Sequence, residues 1–226
     1  MTDPLTESER RLYLDPGDYI DSEHSAVMAF AHEHAPAGAS AREKASLLYK
    51  AVRDAIRYNP YVNMRTLETF RASSVLAAGN GYCVGKAALY AAVCRVHGIP
   101  ARVGFADVRN HLTTDKLRES MGTDLFTWHG FTHVHVDGAW RKATPTFNAS
   151  LCEKLGVKPL DFDGHRDALL HSFDGAGRAF MQYVEDHGVF HDVPAQFLMR
   201  EMARVYAGMA QEDLSARDME QEARGG

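Results

Sequence analysis

The stretch GNGYCVGKAALYAAVCRVHGIPARV, residues 79–103, decides how this chain folds. Gly79-Asn80-Gly81 is a turn signal. After it Val84, Ala87, Ala88, Leu89, Ala91, Ala92, Val93 and Val96 leave hardly any polar face, and a helix that is apolar nearly all round is a buried one. His97-Gly98-Ile99-Pro100 ends it, with glycine at the position just past the helix and proline beyond. From Ala101 to Val108 the apolar period drops to two, so a strand follows the buried helix directly.

Upstream, residues from about Glu23 to Ala35 read as helix, mixing alanine with His24, His32 and His34, a solvated face. Ser40 and Glu43 form a capping box, and Ala45, Leu47, Leu48, Val52 and Ile56 carry an apolar stripe at helical spacing until Asn59-Pro60 breaks it. Downstream, Phe131–Val136 and Ala139–Thr144 alternate and are joined by Asp137-Gly138, a two-residue hairpin signal. The polar connection Asn110–Thr127 is long enough to be a candidate lid. Residues 145–193 read as irregular, Pro194 opens a last helix through about Gln211, and the charged tail beyond it is expected to fray. The whole is an α+β single domain over 1–226: a helical N-terminal region over 1–78, a core over 79–150, an irregular cover and C-terminal helix over 151–212, and a tail over 213–226.

The 226 residues carry a net charge of −5, with 45% hydrophobic and 24% charged residues. That is the balance of a soluble globular protein, and with no basic block it argues against nucleic acid or an anionic membrane as partner. No apolar run approaches the ~18 residues of a membrane span, and the start, Met1-Thr2-Asp3-Pro4-Leu5-Thr6-Glu7, lacks the basic and apolar regions of a secretory signal. Three cysteines, Cys83, Cys94 and Cys152, make no disulfide framework and fit a reducing cytoplasm. Cys83 and Cys94 are ~16 Å apart along one helix, too far to bridge.

Cys83 falls in the first turn of the buried helix. Free N–H groups and the helix dipole there are expected to lower a thiol pKa and to hold an oxyanion. The plainer reading is a buried structural cysteine, as Cys94 is read to be; Cys152 is unassigned. A thiol nucleophile needs a base. Among twelve histidines, His129 opens the first hairpin strand, and His133 and His135 share its face. His133-Val134-His135 has a spacing that suits zinc, but His129 would lie ~13 Å from His133 on an extended strand. A zinc site needs three protein ligands, so no metal and no other cofactor is expected.

Gly81-Tyr82-Cys83, Ala87-Ala88-Leu89, Gly98-Ile99-Pro100-Ala101-Arg102-Val103, His129-Gly130-Phe131-Thr132-His133-Val134 and Gly138-Ala139-Trp140 through Thr144-Pro145-Thr146 together resemble the transglutaminase-like superfamily, over about residues 45–150. The resemblance implies a papain-like core, a central helix on an antiparallel sheet with extra helices at both ends. It makes Cys83 the nucleophile and His129 the base of an acyl-transfer enzyme. Where the family has aspartate before Pro-Thr this chain has Thr144, which cannot stabilise an imidazolium. Asp107 takes first place as the orienter, because it ends the strand expected to pair beside His129. Asn148 and Thr144 are neutral alternatives, and Asn80 is a further oxyanion or orienting candidate. Trp128, Tyr58 and Tyr61 are candidate pocket walls. The chain also resembles small stand-alone Dieckmann cyclases of the same superfamily, which release a carrier-protein-bound acyl chain as a tetramate or pyridone ring. The substrate is thus a peptide, amide or thioester, with an acyl or peptidyl carrier protein as a partner in the last case. A catalytically inactive binding protein of the same fold is the other alternative.

Overall fold

A computed structural model describes residues 4–110, 114–169, 181–207, 209, 214 and 216–223. Its helices are α1 (Glu7–Leu12), α2 (Ser25–His34), α3 (Ala41–Ala55), α4 (Ala72–Ala78), α5 (Cys83–Val96), α6 (Asp115–Met121), α7 (Ala149–Lys154), α8 (Ala195–Val205) and α9 (Met219–Glu222), with one 3-10 turn at Leu67–Phe70. Its strands are β1 (Arg57–Tyr58), β2 (Asn80–Gly81), β3 (Ala101–Asn110), β4 (Leu125–Val136), β5 (Ala139–Ala143) and β6 (Met181–Phe190). Among these residues no helix is long and apolar enough to cross a membrane.

The helix α5 is the axis of the molecule. Every residue from Cys83 to Arg95 is buried, as its composition requires. It ends as expected: Gly98 adopts φ +70, its N–H bonds the Arg95 carbonyl, and the Ile99 N–H bonds that of Cys94. Even its lysine is spent internally, since the buried Lys86 ammonium donates to the carbonyls of Arg53 and Ile56 at the end of α3. That bolts α3 to α5 three residues from Cys83. The capping box at Ser40 and Glu43 starts α3 as its sequence indicates.

Against α5 lies an antiparallel sheet in the order β5-β4-β3-β6. The β4–β5 hairpin turns at Asp137 (φ 50) and Gly138 (φ 74), the left-handed pair that a tight hairpin demands. Three expectations are corrected downstream. Residues 145–193 hold α7 and β6 as well as irregular chain. The candidate lid contains α6, with 111–113 outside the described residues. The last helix stops at Val205, and Gln211 lies outside the described residues.

The tail is not simply frayed. Leu214 and Met219 are buried, and α9 is tied down by polar contacts. Asp218 pairs with Arg57 at 2.9 Å, and Glu220 pairs with Lys154. Glu222 accepts from the Tyr61 hydroxyl at 2.6 Å. A charged segment is held here by partners distant in sequence, which local composition does not reveal. The cysteines Cys83, Cys94 and Cys152 are free thiols and buried.

Candidate active site

Cys83 is the first residue of α5, and the preceding Tyr82 provides no side-chain cap. The first N–H groups of the helix therefore remain uncapped by a side chain. The backbone N–H groups of Gly130, Val84 and Cys83 itself lie around the thiol and favour its ionised form. Gly130 brings β4 this close: a Cβ at that position would sit 2.8 Å from the Val84 Cα and 3.1 Å from its N. Both are backbone atoms that cannot swing aside. The missing side chain of Gly130 thus sets the distance between the strand and the helix start, and with it the donor aimed at the sulfur. His129, the residue before Gly130, lines the same cleft as Cys83.

Burial dominates the electrostatics of the pair. It pushes the Cys83 thiol up to about 11, against the pull of the three N–H donors. It also holds the His129 imidazole down to about 4. The expected lowering of the thiol pKa by the helix start is therefore corrected: the donors are present, and desolvation outweighs them. At neutral pH the resting pair is a thiol and a neutral imidazole. His129 Nε2 is buried with no hydrogen-bond partner among the described residues.

Asp107 does not hydrogen-bond His129. Its Oδ1 accepts from the Trp128 N–H at 2.9 Å and pairs with His187 Nε2 at 2.7 Å. The reason lies in the sheet. The β3–β4 register slips between Ala106 and Val108, and the β3–β6 register slips between Phe105 and Ala106 and again between Asp107 and Val108. Both neighbouring strands bulge beside Asp107. Trp128 enters its bulge at φ 57, and its ring stacks on His187 with centroids 4.1 Å apart and planes 15° from parallel. Asp107, Trp128 and His187 form one clamp. It fixes the backbone immediately before His129 and leaves the imidazole itself untouched. The clamp also carries three potential cation donors, since ligand atoms of Asp107, Glu185 and His187 lie within 4.8 Å of one another.

The remaining candidates divide. Tyr58 lines the cleft. Trp128 does not; it packs among Phe105, Phe197 and His187. Tyr61 does not either, because its hydroxyl is committed to Glu222 and the Arg217 guanidinium lies over its ring, 4.3 Å from the centroid. Asn80 is engaged locally, accepting from Asn59 and donating to the Ala78 carbonyl. Asn148 accepts from the Tyr58 N–H and donates to Ser150 and Glu220, so it supports a cleft wall and does not orient the base. Thr144 is buried with its hydroxyl unpartnered among the described residues. His133 lies 3.5 Å from Arg102 and packs against Phe131 and Trp140, a structural role on the strand.

The cleft is walled by Pro60 and Met64 from the β1-side loop, Leu117 and Met121 from α6, Phe126 and Thr127 from β4, and Met202, Tyr206 and Met209 at the C-terminal side. The Tyr206 hydroxyl accepts from the Thr127 N–H at 2.7 Å and donates to the Leu125 carbonyl, which pins this cover to β4. The free space inside is about 30 Å³, room for little more than a water molecule. Sequence reasoning missed Gly130, His187, Tyr206 and the methionines. A glycine directly after the candidate base was the one local signal available.

Comparison with known proteins agrees with this architecture. The family model of the transglutaminase-like superfamily matches residues 29–145. A crystal structure from Cytophaga hutchinsonii, described as a "putative cysteine protease", superposes with a TM-score of 0.50 at 18% identity, covering 83% of this chain and 48% of that one. The chain thus spans about half the length of that structure, and the likeness is one of fold. No curated protein matches the chain.

Proposed function

Because the chain belongs to the transglutaminase-like superfamily, with its α+β, papain-like arrangement of a buried helix on an antiparallel sheet, we propose that it is a cysteine-dependent acyl-transfer enzyme. The observation that carries this reading is the meeting of Cys83 and His129 in one cleft, with backbone N–H groups converging at the start of α5. In the reaction, the Cys83 sulfur attacks the acyl carbonyl as its proton passes to the neutral His129. The N–H groups of Cys83, Val84 and Gly130 are suited to receive the developing oxyanion. Collapse expels the leaving group, which takes the proton back from His129, and a thioester remains on Cys83. The acceptor, which is water, an amine or a carbanion, then gives up its proton to His129 and displaces the thiolate. Asp107 serves as a positioning residue through the backbone at Trp128.

A second reading is favoured by the cleft itself. Its mostly apolar, uncharged lining offers little to bind a free amine, and suits an acceptor that arrives within the substrate, as the internal carbon nucleophile of a Dieckmann cyclase does. In that case the acyl group comes as a thioester on a carrier protein and leaves as a ring.

Variants test the shared chemistry. Cys83→Ala is expected to abolish turnover of an activated acyl ester, and His129→Ala to cost the ~10²–10⁴-fold typical of a lost general base. His133→Ala should be far milder, with folding intact by circular dichroism in all three. Substantial turnover by Cys83→Ala, or equal losses in His133→Ala and His129→Ala, contradicts the assignment.

A further inference from the structure

The cleft around Cys83 and His129 has an unusual wall. Four of the chain's nine methionines, Met64, Met121, Met202 and Met209, line it. They come from three separate segments that converge on the cleft: the loop after β1, α6, and α8 with the residues just beyond it. No aspartate, glutamate, lysine or arginine is among the lining residues described. The other large contributors, Leu117, Phe126 and Tyr58, are apolar or present an aromatic face.

An uncharged wall does not recognise a charged or strongly polar acyl group, because nothing in it repays the desolvation of such a group. Methionine is unbranched, with three rotatable bonds and a polarizable sulfur, and it adapts to irregular apolar partners. Such side chains fill a cleft when it is empty and yield when a flexible chain enters. The free space of about 30 Å³ is therefore the resting volume of a deformable site. Tyr82 also lines the cleft, and its hydroxyl, like His129 Nε2, is buried with no partner among the described residues. A buried unpaired hydroxyl can take an acceptor that a ligand brings.

We propose that this cleft binds the acyl portion of the substrate as a flexible, uncharged, predominantly aliphatic chain, entering by displacement of the four methionines. This rests on the reading of Cys83 as the acyl-accepting thiol. A glutaminyl side chain in a peptide, with its polar amide and flanking charges, is the wrong substrate for such a wall.

The test uses the full chain and N-acetylcysteamine thioesters of acetate, hexanoate and decanoate, with a glutamine-containing peptide alongside. Formation of the Cys83 acyl adduct is timed by intact mass. Burial of a methylene contributes about fourfold, so the second-order acylation rate should climb steeply from acetyl to hexanoyl to decanoyl, and the peptide should react least. Met64→Glu, on a half-buried loop position, should lower the decanoyl-to-acetyl ratio at least tenfold by placing a charge in the wall. A flat or falling chain-length series, or a peptide that outpaces decanoyl, overturns the substrate class while leaving the thiol chemistry standing. An unchanged ratio in folded Met64→Glu overturns it too. No adduct from any of the four probes overturns both readings.

Discussion

The chemistry of Cys83 turns on two opposing effects within a few ångströms. Helix-start N–H groups stabilise a thiolate, and burial destabilises it. Here burial wins, lifting the thiol to about 11 while holding His129 to about 4, so the site rests as two neutral groups. The consequence is a pH dependence of opposite character to that of a preformed thiolate–imidazolium pair. Only the thiolate is alkylated, so below the thiol pKa the rate rises about tenfold per pH unit. Iodoacetamide should label Cys83 slowly at neutral pH and progressively faster through pH 10. Cys94, inside α5 and raised further still by burial, should stay protected. An alkylation profile already flat between pH 6 and 8 would mean that Cys83 and His129 form an ion pair and that burial does not dominate the thiol.

At the scale of elements, the sheet builds the base. β4 and β6 both bulge beside β3, and Asp107 ties the two bulges together through Trp128 and His187. This separates two roles for one carboxylate. A direct orienter of the imidazole would cost ~10⁴-fold when replaced by its amide. A backbone clamp should forgive Asp107→Asn, whose remaining carbonyl oxygen still accepts from the Trp128 N–H. It should suffer more from Asp107→Ala, where a displaced base costs on the order of 10²-fold. The expected signature is a loss confined to kcat, a Cys83 alkylation profile like wild type, and partial rescue by asparagine relative to alanine. Equal and large losses in both variants would restore Asp107 to direct contact with the base. The sequence made the strand pairing of β3 with β4 legible, and so placed Asp107 near the start of β4. It could not show the bulges, because a register slip leaves no mark in apolar alternation. Nor did it reveal His187, on a polar edge strand whose pattern never settles into period two.

For the whole molecule, the division between legible and hidden follows the range of the forces. Local rules found α3 by its capping box, α5 by its composition and its Gly98 stop, and the β4–β5 hairpin by Asp137-Gly138. The helix start marks Cys83 as a candidate, whereas strand alternation leaves His129, His133 and His135 equivalent, and only the family resemblance singles out His129. The cover was hidden because it is assembled from segments far apart in sequence: the loop after β1, α6, and the end of α8. Those segments wall the cleft that holds the thiol, and only the folded chain brings them together. The acyl-transfer chemistry proposed for this cleft puts an acyl group on one sulfur, and covalent trapping reads that sulfur out. After incubation with an activated acyl thioester and rapid acid quench, intact-mass and peptide-mapping spectrometry should show a single acyl adduct on Cys83, absent in Cys83→Ala and slow to form in His129→Ala. Acylation spread over Cys94 or Cys152, or no adduct while the substrate is still consumed, would contradict it.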